Sequence, residues 1–104
     1  MEIILIHTPR GILPPDLTKA IIDLGKDIDK NAEKAAPGSK LIASYIPCGQ
    51  MRIFCIWDAP KIESLLPILG QMVALGWDTE VIPVMKSRDA IAMFEKTLAQ
   101  MAKK

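Results

Sequence analysis

At 104 residues, half of them hydrophobic and a quarter charged, the chain has room for one domain, residues 1–104, and enough apolar side chains to bury a core. Its 13 basic and 12 acidic residues are scattered without a basic stripe, which argues against a nucleic-acid partner. The longest apolar run near the N-terminus, IILI, is too short for a signal segment or a membrane span, so the expected compartment is the cytoplasm, with no membrane partner. Two cysteines do not make a disulfide framework, and reduced thiols fit that compartment.

The elements follow in chain order. EIILIHT, rich in β-branched residues and ended by Pro9 and Gly11, is a first strand. After the loop GILPPD, Asp16 is placed to cap a helix. That helix repeats Leu17, Ala20, Ile21, Leu24, Ile28 and Ala35 at helical spacing, and PGS at 37–39 stops it. KLIASYIP and MRIFCIWD are predicted as two strands joined by the three-residue loop CGQ. Ala59 and Pro60 begin a second helix, whose apolar face is Ile62, Leu65, Leu66, Leu69, Met72 and Val73, with Gly76 as its stop. TEVIPVM is a fourth strand. Ser87 then caps a last helix carrying Ile91, Phe94, Leu98 and Met101 on one side. The six methionines fall at core spacing and are read as packing.

The order β-α-β-β-α-β is that of a ferredoxin-like α+β domain, with an antiparallel sheet in the spatial order 4-1-3-2. Proline is confined to edges and strand ends, and Pro83 and Pro47 fall in the two strands that this order places at the edges. Alternation along the strands gives two apolar faces. Ile4, Ile6, Ile42, Ile46, Phe54, Ile56, Ile82 and Val84, with Glu2, Arg52, Asp58 and Glu80 near strand ends, are assigned to the core under the helices. The opposite parity includes Ile3, Leu5, His7, Tyr45, Ile53, Cys55 and Trp57. It is assigned to an open face that a second copy covers, because so apolar a surface left bare is an aggregation hazard.

Across roughly residues 2–86 the chain resembles the dimeric α+β-barrel superfamily. The likeness is sharpest in SYIPCGQMRIFCIWDAPKIE, Ser44 to Glu63, which is similar to the small nickel-binding-protein-like family. WDTEVIPVMKSRDA looks more like a second, uncharacterised branch. The resemblance implies a homodimeric barrel. The superfamily includes muconolactone isomerases and cofactor-independent monooxygenases, but its fold hosts many chemistries. No metal residue is carried over, since PKIESLLPILGQM holds no histidine.

A three-residue hairpin loop pairs Tyr45 with Ile53, Ala43 with Cys55, Leu41 with Trp57 and Lys40 with Asp58. Trp57 and Asp58 then point to opposite faces, so CIWD is not one compact site. The candidate ligand-binding set is His7, Tyr45, Ile53, Cys55 and Trp57, with His7 the one candidate base. Cys55 lacks the electropositive neighbours of a nucleophile, and Trp57 is read first as packing. One histidine and two separated cysteines give no metal-ligand spacing, and no cofactor is implied. Cys48 and Cys55 lie about 16 Å apart along an extended strand, too far to bond to each other. Two functions fit this reading. One is a binding or structural module with a small apolar pocket between the two sheets of the dimer. The alternative is a cofactor-independent isomerase or oxygenase acting on a small aromatic or lactone-type substrate, with His7 as base and Tyr45 orienting.

Overall fold

The computed structural model describes residues 1–103. In chain order it runs β1 (Glu2–Pro9), α1 (Pro15–Lys30), α2 (Ala32–Ala35), β2 (Lys40–Tyr45) and β3 (Ile53–Asp58). A 3-10 turn (Ile62–Leu65), α3 (Leu66–Ala74), β4 (Trp77–Val84) and α4 (Ser87–Ala102) complete it. The strands form one antiparallel α+β sheet in the order β2-β3-β1-β4, which counted from the β4 edge is 4-1-3-2. Pro83 lies on the β4 edge, opposite Ile3. The amino terminus bonds the Asp58 carboxylate at 3.2 Å across an exposed pair, so Asp58 is tied to Met1 and not to Lys40, its cross-strand neighbour.

Several boundaries depart from the sequence reading. Asp16 makes no cap bond; the N-cap is Pro14, and Pro15 opens α1 with the φ a first helical turn requires. The first helix also ends at Lys30 and does not run on to Ala35. Asn31 leaves the helical conformation there (φ −155°, ψ 85°), and its side-chain oxygen accepts the Lys34 N–H to start the short α2. The second helix begins later than Ala59, after a 3-10 turn, with Pro67 in its first turn. The 3-10 turn buries Leu65 and α3 buries Ile68 and Met72, while Leu66 and Val73 stay outside. Ser87 opens α4 without capping it. Of the methionines, Met72 alone is buried, while Met1, Met51, Met85, Met93 and Met101 are exposed.

The joint between α3 and β4 is built around Gly76. Its φ of +90° is left-handed, and a Cβ there would stand 2.9 Å from Leu13 Cδ2. The Arg10 N–H donates to the Gly76 carbonyl at 2.8 Å. The Arg10 guanidinium donates to the Val73 carbonyl at 2.9 Å and to the Asp78 carboxylate at 2.9 Å. A cation thus closes the negative end of α3, where carbonyls lack helical partners.

The two sheet faces are the reverse of the sequence assignment. Ile3, Leu5, His7 and Trp57 are buried under the helices, together with Leu65, Ile68, Met72 and Trp77. The face carrying Ile4, Ile6, Phe54, Ile56, Ile82 and Val84 is uncovered, and these side chains are partly exposed. Charge decides between two equally apolar parities. Glu2, Arg52 and Glu80 share the uncovered face, and burying them under helices without partners would cost several kcal/mol each. The helix α4 stands away from the body. It stretches the molecule to 60 Å and the radius of gyration to 17.1 Å, against about 13 Å for a compact chain of this length.

Two substitutions test this packing by chemical denaturation. Trp57→Ala removes a side chain that is 1 % exposed and should destabilise by about 3–5 kcal/mol. Gly76→Ala forces a left-handed alanine against Leu13 and should cost more than about 1 kcal/mol. A neutral result for either would contradict the core described above.

Candidate functional site

Helix α1 covers the sheet loosely. Leu17, Ala20, Ile21, Leu24 and Ile28 face inward, yet none of its residues is fully buried. Between this helix and the sheet lies a half-open cleft of about 700 Å³. The sheet contributes His7, Ile53, Cys55 and Trp57, and α3 contributes Ile68 and Met72. The near wall is Ile21, Leu24, Gly25 and Ile28 of α1, with Asp29 its one charged residue, and Leu41 and Ser44 of β2 close the side. The volume lies in the range of small-molecule sites, and the lining is mainly aliphatic with a few polar atoms.

Four of the five residues proposed from the sequence therefore meet: His7, Ile53, Cys55 and Trp57. They meet under the helices and not on the open face. Tyr45 does not join them. A β-bulge between Leu41 and Ala43 shifts the register by one residue, so Lys40 and Leu41 face Asp58 and Trp57, while Ser44 faces Cys55 and Tyr45 faces Phe54. A one-residue slip moves a side chain to the other face. Tyr45 is accordingly 64 % exposed, on the uncovered side, and Ser44 takes its place in the cleft. The strand ends at Tyr45 and resumes at Ile53, so the connection is longer than the three residues expected.

His7 is 3 % exposed and pairs with Ile53 on one side and Thr79 on the other. Its Nδ1 lies 2.7 Å from Thr79 Oγ1, and the shared hydrogen can sit on either atom. Burial lowers its pKa from 6.5 to about 4, so the ring is neutral at pH 7. Its hydrogen-bond partner is a hydroxyl and not a carboxylate. Burial likewise pushes the Cys55 thiol up, against a weaker opposing contact with Ser44 Oγ at 3.6 Å, and the nearby negative charge of Asp29 adds to the rise. A protonated thiol is a poor nucleophile at neutral pH. Cys48 and Cys55 are both free. Trp57 Nε1 and Trp77 Nε1 are buried with no hydrogen-bond partner among the described residues.

Gly25, Ser44 and Thr79 escaped the sequence reading. Gly25 carried a signal, since a glycine in the middle of an amphipathic helix lowers helix stability and needs a packing reason. Thr79 carried none, because no hairpin fixes the register of β4 against β1. No described helix is long and apolar enough to cross a membrane, and no group of three or more His, Cys, Asp or Glu among the described residues is placed to hold a metal ion. No family model, curated protein or solved structure matches the chain.

The titration of His7 is measurable as stability. Its folded pKa lies below its unfolded one, so above pH 6.5 its contribution is fully present, and it is lost as pH falls from 6.5 towards 4. The shift corresponds to a loss on the order of 3 kcal/mol across that window. Urea unfolding of wild type should show this slope, and His7→Gln should flatten it between pH 6.5 and 5. An unchanged slope in the variant would assign the pH dependence to other groups.

Proposed function

We propose that this protein is a homodimeric, ferredoxin-like α+β domain that binds a small apolar molecule in the cleft beneath α1. The observation that carries the binding reading is the cleft itself: about 700 Å³, walled by aliphatic side chains and marked by His7, Ser44 and Cys55. Neutral imidazole, hydroxyl and thiol can orient a ligand that bears one or two polar atoms, while the Asp29 carboxylate, which also lines the cleft, disfavours an anionic one. The resemblance to the dimeric α+β-barrel superfamily agrees with both the element order and the uncovered apolar face. Association through Ile4, Ile6, Phe54, Ile56 and Ile82 would remove that face from water, with the charged residues left at its rim.

The enzymatic alternative is the weaker reading. A general base works best with a pKa near the operating pH, and His7 at about 4 is far below it. Tyr45, expected to orient a substrate beside His7, pairs with Phe54 on the opposite side of the sheet.

Gly25 offers a direct test. Nothing lies within 4 Å of a Cβ built on it, and it lines the cleft. Gly25→Ala should stabilise the fold by roughly 0.5–1 kcal/mol, the gain in helix propensity. Gly25→Phe should keep the fold and fill the cleft. Titration with a neutral aromatic probe such as indole, followed by amide chemical shifts, should perturb residues of α1 and β3 in wild type and not in Gly25→Phe. Shifts confined to Ile4, Ile56 and Ile82, or none at all, would remove the cleft as the binding site. For the assembly, light scattering at micromolar concentration should give twice the 11.5 kDa chain mass. A monomer mass would sink the dimer.

A further inference from the structure

The least explained part of the molecule is α4, whose large apolar side chains are left more than half exposed. Ile91 is 53 % exposed, Phe94 66 %, Leu98 64 % and Met101 63 %. A lone helix of 16 residues is marginal in water, so these side chains need a surface. We infer that α4 is a helix-pairing arm, in which the seam Ile91–Phe94–Leu98–Met101 packs against the same seam of a second copy of this chain. The inference rests on the homodimer proposed above.

The shape of the stripe selects the occupant. Its residues are spaced three, four and three apart, the narrow pattern of a two-helix seam. A helix lying on a sheet uses a wider stripe. In this molecule α3 does so, adding Leu69 beside Ile68 and Met72, in line with Leu65 of the preceding 3-10 turn. Ala90 and Ala102 extend the α4 stripe only at its two ends; the positions that would widen its middle are Glu95 and Thr97, so α4 laid flat on the apolar sheet face would press a carboxylate against it. Another helix presenting the same narrow seam leaves Glu95 and Thr97 at the margin. Met93 lies outside the seam and stays exposed in such a pair.

The area points the same way. The uncovered sheet face is about 23 Å by 19 Å, a flat footprint of roughly 440 Å² per copy or about 900 Å² for two. A specific interface generally exceeds about 1,000 Å² in total. Two paired α4 helices, each about 24 Å long and 10 Å wide, add roughly 480 Å². The sheets alone fall near the lower limit; with the arms the footprint passes it.

The double variant Phe94→Asp/Leu98→Asp changes only exposed side chains, and its tryptophan fluorescence should match wild type. Sedimentation should show a dimer for wild type and a dissociation constant at least tenfold higher for the variant, with part of the helical circular dichroism lost. If wild type is itself a monomer, the dimer reading falls and the arm with it. If wild type is a dimer and the variant dissociates no more readily, the arm alone is overturned. In a Cys48→Ser background, Phe94→Cys and Leu98→Cys chains are then oxidised separately and mixed. Disulfide-linked dimers within each variant (parallel arms) or between the two (antiparallel arms) support pairing. Absence of both overturns it, even if the double aspartate variant is monomeric.

Discussion

Everything else in this molecule depends on which face of the β1–β3 ladder the helices cover. The central strands carry hydrophobic side chains on both sides, and the pleat gives each side an equal claim to the core. The helices settle on Ile3, Leu5, His7 and Trp57. Ionic groups break the tie: Glu2, Arg52 and Glu80 all project from the other side. Desolvating them would outweigh the small difference in apolar area between the faces. Once that choice is made, His7 becomes an interior histidine, Cys55 an interior thiol and Phe54 a surface aromatic, with the Arg52 guanidinium 5.4 Å over its ring.

The same choice shapes the chemistry. A histidine at the end of an exposed strand would titrate near neutrality; beneath α1 and α3 it is held neutral by burial and bonded to a threonine hydroxyl. A cysteine that burial keeps protonated is compatible with recognition and poorly suited to attack. The cleft above these groups exists because α1 does not pack fully. Gly25 presents no side chain where the helix passes the sheet, and Leu24 and Ile28 are only partly buried. Loose packing of one helix over a firm sheet is a common way for a small domain to hold a ligand cavity, and it places the cavity at the least stable element of the core.

The covered side of the sheet buries Trp57 and Trp77 and is open only at the cleft beneath α1, while the other side and α4 leave large hydrophobic surfaces in water. Such an imbalance is unusual in a monomer of this size, where few apolar patches exceed a few hundred Å². The homodimer and its helical arms are proposed because they resolve that imbalance with one symmetric partner.

The sequence by itself determined the element order, the edge positions of β2 and β4 and the direct pairing of Leu41 with Trp57. Periodicity, glycine and proline are local signals, and these features are local or follow from few permitted topologies. It also marked His7, Ile53, Cys55 and Trp57 as one group, because side chains of one parity on neighbouring strands must meet. Only the tertiary structure decided that this group lies under the helices, that Asn31 divides the first helix, and that Ser44, Gly25 and Thr79 belong near it. Tyr45 shows the reason most clearly. One bulged residue at Ile42 leaves the pattern of hydrophobic residues unchanged and yet moves Tyr45 to the far side of the sheet. Periodicity records which residues share a face. The packing of the whole chain decides which face is inside, because that choice is a balance of burial and desolvation summed over all the elements at once.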